Sequence, residues 1–77
     1  MTDFLEIQTL FGKRIRELRI AKQLSQEDLA ELCNLDRTYI SSLERGKRNV
    51  SLRNIAVLAH SLGMSISTLM EGVQIGE

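Results

Sequence analysis

The chain has 77 residues, of which 43% are hydrophobic and only 4% aromatic, and its formal net charge is zero. This length allows one hydrophobic core, so we expect a single domain over residues 1–77. The single cysteine, Cys33, excludes an intramolecular disulfide, and no leader pattern or apolar run of bilayer length is visible. We therefore expect a cytoplasmic protein without membrane association.

Most apolar residues are Leu, Ile, Ala and Val at helical spacings, which predicts a compact all-α domain of five short helices. The first helix is predicted over about residues 7–23, with Phe11, Ile15 and Leu18 on one face. Its charged residues occupy the other faces.

A second helix is predicted over about residues 26–33. Ser25 is expected to be its N-cap, and Asp28 stands three residues later in a capping-box arrangement. Asn34 follows where a left-handed residue would end the helix, a conformation that Asn tolerates. The side chains expected to face inward are Leu29, Ala30 and Leu32.

The third predicted helix, about residues 37–45, belongs to the polar stretch NLDRTYISSLERGKRN. Asp36 is expected to cap the amides at its start, and Gly46 to end it. Residues 36–54 contain five basic and two acidic side chains, a local balance of +3 in a neutral protein. Positive charge is therefore concentrated around this helix.

Ser51 is expected to cap a fourth helix over about residues 52–62, which Gly63 ends. Its predicted apolar face consists of Leu52, Ile55, Ala56, Leu58, Ala59 and Leu62. A short fifth helix is expected to begin at Ser65 and to end by Gly72.

The connection between the second and third helices is so short that the two must cross steeply, which predicts a helix-turn-helix over about residues 25–45. Ala30 is small where the helices would approach each other, and Ile40 and Leu43 would anchor the third helix. The other positions of that helix are polar and have no core to enter. We therefore expect its outer surface to bind another molecule.

The chain resembles the phage repressor and Cro-like helix-turn-helix domains of the xenobiotic-response-element type. The residues that carry this resemblance are IRELR and, after it, LSQEDLAELCNLDRTYISSLERGKRNVSLRNIAVLAHSLGMS. The resemblance covers about residues 11–70 and implies a lambda-repressor-like fold that binds double-stranded DNA. Within that family, the chain is most similar to controller proteins of restriction–modification operons. Phage-type repressors and antitoxin-like autorepressors share much of the pattern and stay open as alternatives.

Residues at the groove-entering side of the third helix are expected to read bases: Arg37, Thr38, Ser41 and Ser42. Others are expected to contact the DNA backbone or a groove: Gln26, Tyr39, Lys47, Arg48, Asn49 and Ser51. The alternative for each is an ordinary solvated side chain, and Tyr39 has the further alternative of packing against its own domain.

The resemblance also implies a structural ion pair between Arg19 and Glu44, which clamps the first helix to the third. One histidine, His60, and one cysteine cannot form a four-ligand zinc site, and no carboxylate pair or glycine-rich phosphate loop is present. We therefore expect neither an enzyme nor a cofactor.

The resulting hypothesis is a sequence-specific transcription regulator that binds a palindromic operator as a homodimer, activating and repressing its own operon. The dimerisation region is placed at about residues 64–77, because its apolar residues exceed what a short helix can bury: Met64, Ile66, Met70, Val73 and Ile75. RNA polymerase is a further partner if the protein activates. A protein-interaction adaptor is the alternative of a different class, but the outer face lacks apolar anchors.

Overall fold

The computed structural model describes residues 5–75, with Leu5 described in its backbone only; residues 1–4 and 76–77 of the predicted domain, and so the end of the predicted dimerisation region, lie outside this range. Residues 5–75 form five α-helices and no strand, as the sequence predicted. No helix in this range is long and apolar enough to cross a bilayer. The helices are α1 (Leu5–Ala21), α2 (Gln26–Cys33), α3 (Arg37–Glu44), α4 (Leu52–Ser61) and α5 (Ile66–Leu69).

One hydrophobic core joins the helices: α3 packs against α1 and α2, α4 packs against α2, and α5 packs against α4. Burying each large aliphatic side chain contributes about 1.5–3 kcal/mol relative to leaving it exposed, so this core is the main source of stability. The large side chains that are almost fully buried come from all five helices: Ile15, Leu29, Ile40, Leu43, Leu58, Leu62 and Leu69.

Of the three side-chain caps predicted for α2, α3 and α4, those at Ser25 and Ser51 form, and the left-handed residues predicted at the helix ends are also present. Ser25 and Asp28 form a reciprocal capping box, with both hydrogen bonds at 2.9 Å. Asn34 is left-handed (φ 55°), and Ser51 Oγ accepts a hydrogen bond from the backbone amide of Asn54. Asp36 was predicted wrongly as a side-chain cap: it occupies the N-cap position, but its carboxylate makes no capping hydrogen bond.

The predicted first helix was displaced by two residues at each end, since α1 begins at Leu5 and ends at Ala21. Gln23 adopts the left-handed conformation (φ 60°), and the amide of Leu24 donates to the carbonyl of Arg19 at 3.1 Å. This pattern ends a helix as a left-handed glycine would. Gln is uncommon in this conformation, which is why the sequence placed the end too late.

Three apolar residues predicted to face inward are exposed instead: Leu32 is 57% exposed, Leu52 is 75% exposed, and Ala56 is also exposed. Leu32 and Ala56 lie on the flanks of their helices, and Leu52 is the first residue of α4. In α4, the buried side is centred between Leu58 and Leu62, which turns Ala56 outward. The predicted apolar faces were therefore too wide.

At Gly12, the backbone of α1 lies close to the backbone of the C-terminal end of α3. A Cβ atom at this position would overlap the carbonyl oxygen of Leu43 and would lie 2.8 Å from that of Glu44. Gly46, directly after α3, is left-handed (φ 75°) and packs against Thr9 of α1. Two glycines therefore set the distance between α1 and the C-terminal end of α3.

Candidate nucleic-acid interface

The turn between α2 and α3 holds the two helices in a helix-turn-helix arrangement. The amide of Leu35 donates to the carbonyl of Ala30 at 2.9 Å, which closes the end of α2. Ile40 and Leu43 are 0% and 1% exposed and attach the inner side of α3 to the core. The side of α3 opposite these two residues is left at the surface.

The outer surface of α3 is polar along its whole length. Arg37 and Thr38 are exposed at its first turn, while Ser41 and Ser42 are half-buried. Helical spacing places Thr38, Ser41 and Ser42 on the side opposite the buried Ile40 and Leu43. The exposed C-cap residue of α3, Arg45, lies on this same side; the sequence predicted it to lie on the outer, binding surface without assigning it to base or backbone contacts.

A hydrogen-bonded network at the C-terminal end of α3 joins three helices. Arg19 of α1 donates to both carboxylate oxygens of Glu44, from Nε at 2.7 Å and from Nη2 at 3.0 Å. Gln26, the first residue of α2, donates from Nε2 to Glu44 Oε1 at 3.1 Å. The side chains of Arg19 and Glu44 are only 11% and 3% exposed.

This network has an electrostatic consequence. The hydrogen bond to Glu44 raises the pKa of Arg19, partly opposed by the burial of the guanidinium, so the arginine stays charged. The Glu44 carboxylate is nearly buried and paired with Arg19. Its negative charge is therefore neutralised and offsets little of the positive charge on the exposed side of α3. The network also holds the Gln26 side chain beside the end of α3.

Tyr39 connects α3 to α4 and to the following loop. Its hydroxyl oxygen accepts a hydrogen bond from Asn54 Nδ2 at 3.2 Å, and the Arg48 guanidinium lies over its ring, 5.1 Å from the centroid. Tyr39 is half-buried against the core, so it packs on its own domain. The bond from Asn54 uses the oxygen as an acceptor, which leaves the hydroxyl proton available to another acceptor. Nothing in the sequence had indicated that Asn54 takes part.

The loop after α3 presents a row of exposed side chains. Gly46 reverses the chain direction, and the amide of Lys47 donates to the carbonyl of Ser42 at 3.0 Å. Lys47, Arg48 and Asn49 are then exposed one after another. Ser51 is also exposed, but its Oγ is engaged as the cap of α4. The loop therefore presents two exposed cations immediately after α3, and such a surface suits a phosphate chain.

The residues predicted to form a dimer interface divide into two groups. Met64, Met70 and Val73 are half-buried and pack partly against the domain's own core. Ile66 and Ile75 are 43% and 47% exposed, so their apolar surface has no cover within the described chain. This remaining apolar surface lies on α5 and the segment after it.

The two residues considered for metal or nucleophilic chemistry differ in their exposure to solvent. His60 is exposed on α4, whereas Cys33 is 6% exposed in the core. Burial raises the pKa of the Cys33 thiol, so the thiol is neutral and poorly reactive. Over residues 5–75, no group of three or more His, Cys, Asp or Glu side chains is arranged to hold a metal ion.

Residues 15–69 match the family described as Helix-turn-helix. The control protein C.BamHI of Bacillus amyloliquefaciens is 48% identical to the chain over 71 residues, which cover 91% of this chain and 88% of that protein. The alignment therefore extends over nearly the whole of both proteins.

Solved structures show the same similarity. The restriction-modification controller protein C.AhdI from Aeromonas hydrophila superimposes with a TM-score of 0.83 at 52% identity, covering 87% of this chain and 97% of that one. The restriction-modification controller protein C.Esp1396I has been solved as a tetramer in complex with its natural 35 base-pair operator. That structure superimposes with a TM-score of 0.80 at 35% identity and covers 92% of this chain and 91% of that one.

Proposed function

Because the chain belongs to the restriction–modification controller proteins of the helix-turn-helix family, we propose that it controls the operon that encodes it by binding a palindromic operator as a homodimer. The observation that carries this proposal is the outer surface of α3, which is polar throughout and continues into a cationic loop. The proteins that this chain resembles are regulators rather than enzymes, and we propose that this chain is also a regulator and not an enzyme.

The exposed start of α3 is the part that enters the major groove in this proposal. Arg37 has a fork that can donate to O6 and N7 of one guanine, and Thr38 offers a hydroxyl and a methyl group to a base edge. Ser41 and Ser42 extend the same surface as shorter hydroxyl groups. We assign base reading to these four residues.

A second group of residues contacts phosphates. Gln26 is fixed by Glu44 at the first turn of α2, where the free backbone amides of a helix favour an anion. Lys47 and Asn49 lie in the loop beyond α3, and the hydroxyl proton of Tyr39 is free to donate. Ser51 and the exposed N-terminal end of α4 extend this row, and Arg48 can reach either a phosphate or a minor groove.

Two such modules are required for a palindrome, with half-sites about one helical turn (~34 Å) apart. The exposed apolar surface of Ile66 and Ile75 supports α5 and the segment after it as the dimer contact, with Met64, Met70 and Val73 behind them. In C.Esp1396I, a tetramer occupies one operator. Binding of one and then two dimers would allow activation through RNA polymerase at low concentration and repression at high concentration, in the cytoplasm where the operator lies.

The first experiment identifies the operator by selection from random duplexes and then titrates variants against the selected and a scrambled duplex at several salt concentrations. Arg37→Ala should weaken binding to the selected duplex by about 1–3 kcal/mol and relax preference at one base position. Lys47→Ala should weaken both duplexes about equally and lower the salt slope by about two, one charge from each protomer.

Lys13→Ala provides a matched control, because Lys13 is an exposed cation on α1 outside the proposed interface. If Arg37→Ala lowered the affinity for both duplexes equally while Lys47→Ala altered the base preference, the two assigned roles would be reversed. A selection that enriches no sequence would contradict the proposed function itself.

The dimer is tested separately by sedimentation. Replacing Ile66 and Met70 with Lys should give a folded monomer with much weaker operator binding, since two charges enter the proposed apolar contact. A wild-type protein that stays monomeric at high micromolar concentration would exclude this part of the proposal.

A further inference from the structure

Helix α1 contacts both of the helices that the proposed function uses. On one side, Arg19 pairs with Glu44 and the backbone at Gly12 lies against the end of α3. On the other side, Arg14 donates from Nε to the carbonyl of Leu69 at 3.0 Å and from Nη2 to the carbonyl of Thr68 at 2.7 Å. Helix α1 therefore contacts α3 directly and reaches the end of α5 through Arg14, in addition to the packing that joins α5 to α4, α4 to α2 and α2 to α3.

From this geometry we propose that Arg14 is a positioning residue: by holding the end of α5 against α1, it fixes the angle between the dimer contact and α3, and so the half-site spacing that the dimer accepts. This inference rests on the proposed function, because it assumes a dimer formed through α5. It assigns Arg14 no contact with DNA.

The reason for the assignment lies in how short α5 is. A helix of four residues has too few internal hydrogen bonds to keep its orientation alone. Leu69, which is fully buried, and the packing against α4 attach this short helix to the core. The planar fork of Arg14 supplies a second attachment at two successive carbonyls, where a helix end lacks donors and favours a cation.

Rotation of α5 would move the dimer contact directly, because Ile66 stands at the start of the same helix and is 43% exposed. In a two-fold dimer, a change on one side is repeated on the other. A small rotation at α5 is therefore amplified at the two α3 helices, which must fit grooves about 34 Å apart.

The predicted signature is a loss of spacing discrimination. One added or removed base pair shifts a half-site by about 3.4 Å along the axis and rotates it by about 35°. A dimer held firmly at α5 cannot follow that shift without strain, whereas a loosened one can. Since a hydrogen bond from a charged group typically changes an equilibrium by about tenfold or more, we expect Arg14→Ala to lose at least about a factor of ten in discrimination.

The experiment measures binding of the full chain to three duplexes: the operator selected from random sequence, and the same operator with its centre lengthened or shortened by one base pair. Wild-type protein should prefer the selected spacing, Arg14→Ala should bind all three within about threefold of one another, and Arg14→Lys, which can reach one carbonyl, should be intermediate. Arg16→Ala is the matched control, since it removes an exposed arginine from the same helix.

Thermal unfolding of each variant is measured alongside, and Arg14→Lys carries the test if Arg14→Ala does not fold. If folded Arg14 variants bind all three duplexes more weakly by one common factor, or keep the wild-type preference for the selected spacing, the positioning role is wrong while the proposed function stands. If wild-type protein shows no spacing preference or does not dimerise, the proposed function fails, and this inference fails with it.

Discussion

Replacing Gly12 with Ala tests whether the close approach of α1 and α3 controls the position of α3, the proposed DNA-binding helix. Gly12 lies inside α1, and glycine in a helix interior is about 0.5–1 kcal/mol less favourable than alanine. Judged on helix propensity alone, this substitution should therefore stabilise the protein. The structure predicts the opposite sign.

The magnitude follows from the atoms that surround the site. The new Cβ would overlap the carbonyl oxygen of Leu43 and lie 2.8 Å from that of Glu44, where carbon–oxygen contacts normally begin at about 3.3 Å. Both obstacles are backbone atoms, so no side chain can rotate away, and α1 and α3 must separate. Overpacking of this kind typically costs about 1–3 kcal/mol, which exceeds the gain in propensity.

We expect Gly12→Ala to lower the free energy of unfolding by about 1–2 kcal/mol net, and Tm by about 5–15 °C, since 1 kcal/mol corresponds to about 4–8 °C in a domain of this size. Urea and thermal unfolding followed by circular dichroism would measure this. Operator affinity should fall as well, because separation of the helices also strains the bidentate contact between Arg19 and Glu44.

Gly63→Ala is the appropriate control. Gly63 is left-handed (φ 72°) with no atom within 4 Å of an added Cβ, so alanine there introduces backbone strain without moving a neighbouring helix. It should lose stability but keep its operator affinity when folded. A Gly12→Ala protein as stable as wild type would show that the α1–α3 separation adjusts without cost, and the reasoning would be refuted.

Three further predictions concern single groups. In a double-mutant cycle, Arg19→Ala and Glu44→Ala should show a coupling of about 1–3 kcal/mol in unfolding free energy, because removal of either leaves its partner nearly buried and unpaired; a coupling of zero would make them independent. Hydrogen bonds with the backbone and then the side chain of Ser25 lower the pKa of Asp28. The stability that the ionised Asp28 contributes is therefore fully present above its unfolded pKa of about 3.9, and it is lost as pH falls through the lower folded pKa. Asp28→Asn should therefore unfold with less dependence on acid pH than wild type, which a urea titration at several pH values would check. Cys33 should react slowly with a thiol reagent in native protein and rapidly in urea; equal rates would contradict its burial.

The sequence predicted those parts of the fold that depend on a few neighbouring residues. The capping box of Ser25 and Asp28 and the left-handed Asn34 each involve residues within a single turn, so their residue types are sufficient to indicate them. The end of α1 was missed because Gln23 takes a conformation that its residue type disfavours. The exposure of Leu32 was missed because helical periodicity gives the direction of an apolar face but not its width.

Contacts across long sequence separations were beyond the reach of pattern reading alone. The pair of Arg19 and Glu44 was expected only through a family resemblance, and the bonds from Arg14 to α5 join residues 54 and 55 positions apart. No residue type or spacing marks either arginine as different from a solvated one. Such contacts depend on how whole helices pack, which a local pattern does not encode.

The neutral net charge, which first argues against DNA binding, agrees with a binding surface that is local. The +3 balance of residues 36–54 is offset by acidic residues elsewhere in the chain, and Glu44, one of the two acids within the segment, is paired with Arg19. A uniformly basic protein would bind any duplex through phosphates in many orientations. A neutral protein whose charge balance is positive in one segment gains phosphate contacts mainly when that segment is docked, and in the proposed complex the side chains of α3 then also reach the bases. A positive charge balance concentrated in residues 36–54 thus favours the ratio of specific to non-specific binding, which is the quantity that a regulator needs when most of the genome is competing DNA.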